Sequence, residues 1–348
     1  MNEPIGRHFI VGIPGTELSS TDVEFLRYVM PSGVCLFARN IKDASQVRDL
    51  TDSIKEILGP HSLICIDQEG GRVDRLRRIL EPMPSAESLR SVENAEKLGQ
   101  LAGEALSMLG INVDFAPVVD VRRDDALSLE NGLQLRMMSD DPIEVAAIAK
   151  GFLEGLRSEG IAGCLKHFPG LGASSVDSHE LLPIVELDDE NLNSVDLLPY
   201  RELIGNGLEM VMIAHASYPN SVFKTDDPNL PSSLNPTVYN YLRDKLLFDG
   251  IAVTDDLEMG AIVKIMGVPQ AARKSLESGA DIALICNDQN AVREAVALFA
   301  DGLHIPGRDK FSERLERFRE NISEPIDFDK SEWEHLSNEI IEFKSRLS

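Results

Sequence analysis

The sequence predicts an α/β protein, a single-domain (β/α)8 barrel of the TIM type with a C-terminal helical extension. Three observations carry this expectation. Eight short apolar runs recur along the 348 residues. Each is followed by a polar loop and then by a segment of helical period. No glycine fingerprint of an open, doubly wound sheet follows an early run, and Gly12-Ile13-Pro14-Gly15 lacks the required spacing.

The runs are residues 8–13, 34–37, 63–66, 111–115, 161–165, 210–213, 251–254 and 281–286. They are rich in Val, Ile and Cys and lack polar alternation, as suits parallel strands buried on both faces. Among the intervening helices, Asp141-Pro142 reads as N-cap and first-turn proline. Val145, Ile148, Phe152 and Leu156 form one apolar face, and Gly160 closes the helix. The same reasoning predicts helices over residues 95–109, followed by Gly110, and over 236–246. No proline- or serine-rich linker divides the chain, so residues 1–348 read as one domain. Its barrel core spans about 8–305 and a helical tail about 306–348, where the sole tryptophan, Trp333, is expected to pack.

The net charge of −24 excludes a nucleic-acid surface, since the densest basic group is only Arg72, Arg75, Arg77 and Arg78. Cys35, Cys65, Cys164 and Cys286 each lie inside an apolar run with no CxxC pair, which points away from zinc and redox motifs. A reducing compartment fits better than a secreted one. No signal peptide or membrane-length run is visible, so the expected location is cytoplasmic, with no membrane or nucleic-acid partner.

In a barrel the carboxyl ends of the strands converge on one face, where the active site sits. Polar groups collect at nearly every such end. Arg39-Asn40 follow the second run and Asp67 the third; Asp114 and Asp120 lie near the fourth. Lys166-His167 follow the fifth, His215 the sixth and Asp255-Asp256 the seventh. Asp255 is the strongest nucleophile candidate, while Asp256 suits the N-cap of the next helix. Asp67 opens Asp67-Gln68-Glu69-Gly70-Gly71-Arg72, where glycines permit a tight turn beside a ligand and a carboxylate can accept hydroxyl hydrogen bonds; the bland alternative is an ion pair with Arg72 or Arg75. Lys166 and His167 read as ligand donors, and His215 reads equally as a structural histidine.

The run at 161–165 opens into a loop reaching Asp177-Ser178-His179-Glu180. Asp177 and His179, two apart, can hydrogen-bond each other, and an imidazole held by a carboxylate is a proton-transfer unit. Gly170, Gly172, Ala173 and Ser174-Ser175 give this loop the composition of a movable segment. Aromatic residues make up only 5% of the chain, which argues for a closed pocket rather than a long stacking groove. A metal-dependent barrel hydrolase using His167, Asp177, His179, His215 and Asp255 is an alternative, weakened by the lack of an H-x-H pair after an early strand.

Five motifs in order resemble glycoside hydrolase family 3, and within it the single-domain β-N-acetylglucosaminidases of peptidoglycan recycling. They are Leu36-Phe37-Ala38-Arg39-Asn40, Asp67-Gln68-Glu69-Gly70-Gly71-Arg72-Val73, Asn112-Val113-Asp114-Phe115-Ala116-Pro117-Val118-Val119-Asp120-Val121, the segment 166–183, and Thr254-Asp255-Asp256-Leu257-Glu258-Met259. The resemblance implies that Asp255 is the nucleophile of a covalent glycosyl-enzyme, His179 the general acid/base, and Asp177 its orienting partner. It implies that Asp67, Arg75, Arg136, Lys166 and His167 hold a terminal N-acetylglucosamine, with His215 and Met259 as further candidates. The implied substrate is a short muropeptide, and no metal or organic cofactor is expected; the chain is expected to be a monomer. Two departures stand out: Leu171 replaces the family's usual histidine, and Leu133-Gln134-Leu135-Arg136-Met137-Met138-Ser139 differs from the usual pattern around the arginine. A phosphorylase, a β-glucosidase of the same family and a non-catalytic sugar-binding protein are the alternatives.

Overall fold

The structure is a computed structural model that describes residues 4–123, 131–205, 207–299, 305, 307–323 and 325–347. Parts of the expected termini and of the core–tail boundary, residues 1–3, 300–304, 306 and 348, lie outside the described residues.

Among the described residues, eight parallel strands close a barrel. They are β1 (Phe9–Gly12), β2 (Gly33–Leu36), β3 (Leu63–Ile66), β4 (Val113–Asp114), β5 (Ala162–Phe168), β6 (Met210–Ile213), β7 (Ile251–Asp256) and β8 (Ile282–Ile285). Each pairs with its sequence neighbour, and β8 closes on β1 through Phe9↔Ala283 and Ile10↔Leu284. All eight apolar runs are therefore strands. The principal helices are α1 (Ser20–Val29), α2 (Ala44–Leu58), α3 (Val92–Met108), α4 (Pro142–Ser158), α5 (Leu198–Ile204), α6 (Pro236–Asn240), α7 (Val268–Ser278), α8 (Gln289–Ala297), α9 (Arg308–Glu320) and α10 (Lys330–Leu347).

Strand side chains alternate between two hydrophobic layers. Ile10, Cys35, Cys65, Val113, Cys164 and Val253 belong to a cluster filling the barrel interior. Phe9, Val11, Val34, Ile64 and Leu165 face outward into the layer shared with the helices. Phe311, Leu315 and Phe318, spaced along one face of α9, join the interior cluster and plug the end of the barrel away from the strand carboxyl termini. All four cysteines are free and buried, as small apolar fillers. Burial pushes the Cys65 thiol well up, so it stays protonated. On α10, Trp333, Leu336, Ile340 and Phe343 form a buried stripe, and the Trp333 indole donates to the Ile79 carbonyl at 2.9 Å. The tail is thus a packing element, as its composition predicts.

Several boundaries differ from expectation. α3 begins at Val92, because the Ser91 hydroxyl caps it by accepting from the Asn94 N–H at 3.1 Å. The segment after Pro236 is α-helical only to Asn240 and continues as a π-helical turn from Tyr241 to Lys245. β5 runs on to Phe168, so Lys166 and His167 sit on the strand itself rather than in the loop after it. Asp141 caps α4 as expected, accepting from the Ile143 N–H at 2.8 Å.

Candidate active site

A cavity of about 580 Å³ opens at the carboxyl ends of the strands. Its floor is a lattice of buried charges. β3 delivers Asp67, and the chain then folds back as a short antiparallel hairpin, Gln68–Gly70 against Val73–Asp74. Gly70 and Gly71, with φ of 80° and 57°, make the turn; a Cβ on Gly70 would lie 2.2 Å from the Pro84 carbonyl oxygen. The Gln68 amide stiffens it, donating to Asp74 at 2.8 Å and accepting from the Arg75 N–H at 3.0 Å. Below, Asp114 Oδ1 accepts the Gln68 N–H at 2.9 Å. Burial pushes the Asp114 carboxyl well up, against the pull of the Gln68 N–H and Lys166.

Lys166, whose side chain is 2% exposed, reaches Asp67 at 2.8 Å and Glu69 at 2.6 Å. Arg75 pairs with the other Asp67 oxygen at 3.1 Å. Arg136 grips Glu69 with two donors, at 2.8 and 2.9 Å. Burial pushes both carboxyls up, but the cations outweigh it. Lys166 and Arg75 hold Asp67 well below the carboxylate range, while Arg136 and Lys166 bring Glu69 to about 2. Burial alone would lower Lys166, yet Asp67 and Glu69 raise it above its ordinary value. Asp67, Glu69, Lys166 and Arg136 are therefore charged at neutral pH, and three cations, Arg75 included, face two carboxylates.

His167 donates Nδ1–H to Asp120 Oδ2 at 2.7 Å, and Arg136 Nη2 lies 3.5 Å from its Nε2. Asp120 Oδ1 also accepts the Leu171 N–H at 2.7 Å. Leu171 itself is buried in the outer hydrophobic layer and does not line the cavity. Its link to the site is its backbone, so the residue at 171 acts on His167 through Asp120.

β7 ends in Asp255 and Asp256, both lining the cavity. Burial pushes the Asp255 carboxyl up, but neighbouring imidazoles, His167 foremost, and the hydrogen bond from the Asp256 N–H hold it below the ordinary range. Burial pushes Asp256 up to about 7. Its Oδ1 accepts the Glu258 N–H at 3.1 Å and so shapes the turn, but it is not the expected N-cap of the next helix: the N-cap of that short helix, Gly260–Val263, is Met259, three residues further on. His215 lies beneath rather than in the cavity wall. Its Nε2 faces the Asp256 carbonyl at 2.9 Å and must donate, so its Nδ1 accepts from the Ser233 hydroxyl at 2.7 Å. Burial lowers its pKa, consistent with a neutral ring.

At the rim, His179 places Nδ1 2.8 Å from Asp177 Oδ1, which also accepts the His179 N–H at 2.9 Å. The two-residue spacing thus forms the expected dyad and leaves Nε2 as the exchanging nitrogen. The His179 side chain is 69% exposed. Its loop is pinned where the chain leaves β7. The Gly260 N–H donates to the His179 carbonyl at 3.0 Å, and the Ala261 N–H to that of Ser178 at 3.1 Å.

Asp67, Arg75, Arg136, Lys166, His167, Asp177, His179, Asp255 and Met259 all line this one cavity, whereas His215 does not. Glu69, Phe37 and Asn287 were not singled out from the sequence, while Asp120 and Arg39 were named only as polar groups near strand ends, with no role assigned. Among the described residues, no group of three or more His, Cys, Asp or Glu side chains is placed to hold a metal ion. None of the described helices is long and apolar enough to cross a membrane.

Comparison with known proteins agrees with this geometry. Residues 11–319 match the glycosyl hydrolase family 3 N-terminal domain. The chain is 33% identical over 298 residues to a β-hexosaminidase of Methylobacillus flagellatus, covering 83% of this chain and 82% of that one. It is 33% identical over 292 residues to a β-hexosaminidase of Pseudomonas aeruginosa, covering 83% and 85%. Among solved structures, it is similar to a family 3 β-N-acetylglucosaminidase from Paenibacillus sp., with a TM-score of 0.86, 29% identity and coverage of 99% and 68%. It is also similar to NagZ from Neisseria gonorrhoeae in complex with N-trifluoroacetyl-D-glucosamine, with a TM-score of 0.80, 26% identity and 97% of each chain covered. An eight-stranded barrel, a carboxylate at the end of β7, an Asp–His pair on the β5 loop and a match across most of the chain lead to one conclusion: this protein belongs to glycosyl hydrolase family 3.

Proposed function

We propose that the chain is a retaining exo-β-N-acetylglucosaminidase that removes terminal N-acetylglucosamine from short muropeptides through a glycosyl-Asp255 intermediate. The observation that carries this reading is one cavity holding both a carboxylate at the end of β7 and, on its rim, an imidazole clasped by Asp177. A retaining glycosidase needs a group to attack the anomeric carbon and another to protonate the departing oxygen. Asp255 attacks, and His179 gives its Nε2 proton to the leaving group while Asp177 holds Nδ1. The neutral imidazole then takes a proton from water, whose oxygen attacks the anomeric carbon and frees Asp255.

On the floor, Asp67 offers its remaining lone pairs to sugar hydroxyls, while Arg75, Arg136, Lys166 and His167 fix its position and supply donors. The filled barrel beneath gives the cavity a bottom, which suits one terminal sugar. N-acetylglucosamine selectivity is inferred from the relatives named β-hexosaminidase and from the N-acylated ligand of the Neisseria protein. We further place the chain in the cytoplasm as a monomeric single domain that uses no metal or organic cofactor.

The test is release of the aryl group from 4-nitrophenyl N-acetyl-β-glucosaminide and the matching β-glucoside by wild type and Asp255→Ala. The expected result is N-acetyl-selective release that the substitution abolishes. Full activity in Asp255→Ala, or preference for the glucoside, overturns the reading.

A further inference from the structure

We propose that Gly132 is a positioning residue for the acid/base dyad: its bare Cα is the seat on which the Asp177 carboxylate rests. The proposal rests on the hydrolase reading above and deepens it, because the dyad is the proton donor of that reading. Gly132, Arg136, Asp177 and His179 line one cavity but come from two loops. Gly132 and Arg136 follow β4, whereas Asp177 and His179 follow β5. A Cβ on Gly132 would lie 2.5 Å from Asp177 Oδ2, 2.9 Å from its Cγ and 3.3 Å from its Oδ1. The first two are closer than van der Waals contact allows, so the loops meet here with no room for a side chain.

Neither side of this contact gives way without consequence. The Asp177 carbonyl accepts the Glu180 and Leu181 N–H groups, both at 3.0 Å, so the backbone at 177 is anchored. Its Oδ1 already holds His179 twice, through the N–H at 2.9 Å and Nδ1 at 2.8 Å. A push on Oδ2 therefore turns the carboxylate and draws Oδ1 off the imidazole. On the other side, Gly132 belongs to a tight turn. Asn131 Oδ1 accepts the Leu133 N–H at 3.0 Å, and the Leu133 carbonyl accepts the Arg136 N–H at 3.0 Å. Gly132 has a φ of 75° and Leu135 one of 64°, a left-handed conformation that residues with a Cβ rarely adopt. The turn is tied to the floor, because Arg136 Nη1 reaches the Gly132 carbonyl at 3.4 Å while Nε and Nη2 grip Glu69. The floor thus fixes where Asp177 sits and, through it, where His179 points.

The experiment measures kcat/KM for 4-methoxyphenyl and 4-nitrophenyl N-acetyl-β-glucosaminides in wild type, Gly132→Ala and Gly132→Asn. The two aglycones are alike in size and differ in how much they need a proton to leave. The readout is the ratio of the two constants, poor leaving group over good, in which any loss of folded enzyme cancels. Asparagine tolerates a left-handed backbone better than alanine yet brings the same Cβ, which separates backbone strain from the push on Asp177. The ratio is expected to fall roughly 10-fold in both variants, since a misplaced proton donor is costly. Asp177→Ala removes the colliding carboxylate, so adding Gly132→Ala to it should lower the ratio no further. A ratio unchanged in both glycine variants, or an equal fall with and without the Asp177 carboxylate, overturns the proposal.

Should wild type turn over neither compound, the hydrolase reading fails instead, and crystal structures of wild type and Gly132→Asn decide the positioning role. A carboxylate turned away from Nδ1 in the variant supports it, whereas an Asp177–His179 contact kept at 2.8 Å overturns it. Should neither glycine variant fold, their combination with Asp177→Ala decides. Restored folding supports the seat, and continued failure overturns it.

Discussion

The floor and the rim of the cavity solve opposite problems. On the floor, Asp67, Glu69, Lys166, Arg75 and Arg136 are largely withdrawn from water and each charge is met by another. On the rim, His179 is 69% exposed and is held by a single carboxylate and a loop. A buried charge lattice is costly to break and therefore keeps its geometry. An exposed dyad is cheap to move and depends on whatever holds its loop. The floor should therefore couple stability to binding, whereas the rim should affect turnover with little effect on stability.

The largest expected effect breaks the floor. Lys166→Met leaves Asp67 and Glu69 sharing only the arginines and should cost about 3–5 kcal/mol of stability, read by urea unfolding, together with sugar binding. A loss below about 1 kcal/mol would mean that water already compensates these carboxylates. Next comes the rim: His179→Ala should lower the rate on poor leaving groups on the order of 10²–10⁴-fold. Its effect on an activated aryl glycoside's glycosylation should be much smaller, and stability should shift by no more than about 0.5 kcal/mol. Equal losses on both substrates would remove the acid role.

A smaller effect sharpens how the rim is held. A Cβ on Gly260 would lie 2.5 Å from the Glu180 carbonyl oxygen and 2.6 Å from that of His179, so Gly260→Ala must push the loop away. Turnover should fall roughly 10–100-fold, since small misplacements of a catalytic group are expensive. The same substitution added to His179→Ala should cost nothing further; an additive loss would show that Gly260 acts elsewhere.

The smallest effect concerns pH. The folded state holds the Asp256 proton up to about pH 7, more tightly than an unfolded chain does. Its contribution to stability is therefore present below the ordinary carboxylate range and lost as pH rises towards 7. Glu69, brought down to about 2, has the opposite sign: its contribution is present above its ordinary value of 4.5 and lost as pH falls towards 2. Asp256→Asn should flatten the stability profile between pH 5 and 8, measured by urea midpoints at those two values. A steeper profile would contradict the assignment.

Much of this was legible in the chain itself. Eight short apolar runs without polar alternation suit strands buried on both faces, and their alternation with helical segments predicts the closed barrel that the structure shows. The barrel then collects Asp67, Lys166 and Asp255 by rule, since each follows or ends a strand. The Asp177–His179 contact was legible because two residues of spacing put both groups within one loop. Glu69 and Asp120 were not, because their value comes from partners distant in sequence: Arg136 lies 67 residues from Glu69 and His167 lies 47 from Asp120. Leu171 was misleading for a related reason. Its side chain is what departs from the family pattern, but the structure uses its N–H and hides that side chain.

The sequence alone determined the fold class, the strand order and the chemical types available at each strand end, because hydrophobic period and strand-end position are local properties. Only the tertiary structure decided which charges compensate which. It also decided that His215 supports the site from below. Ion pairing and burial depend on distances across the barrel, and no local pattern along the chain encodes those.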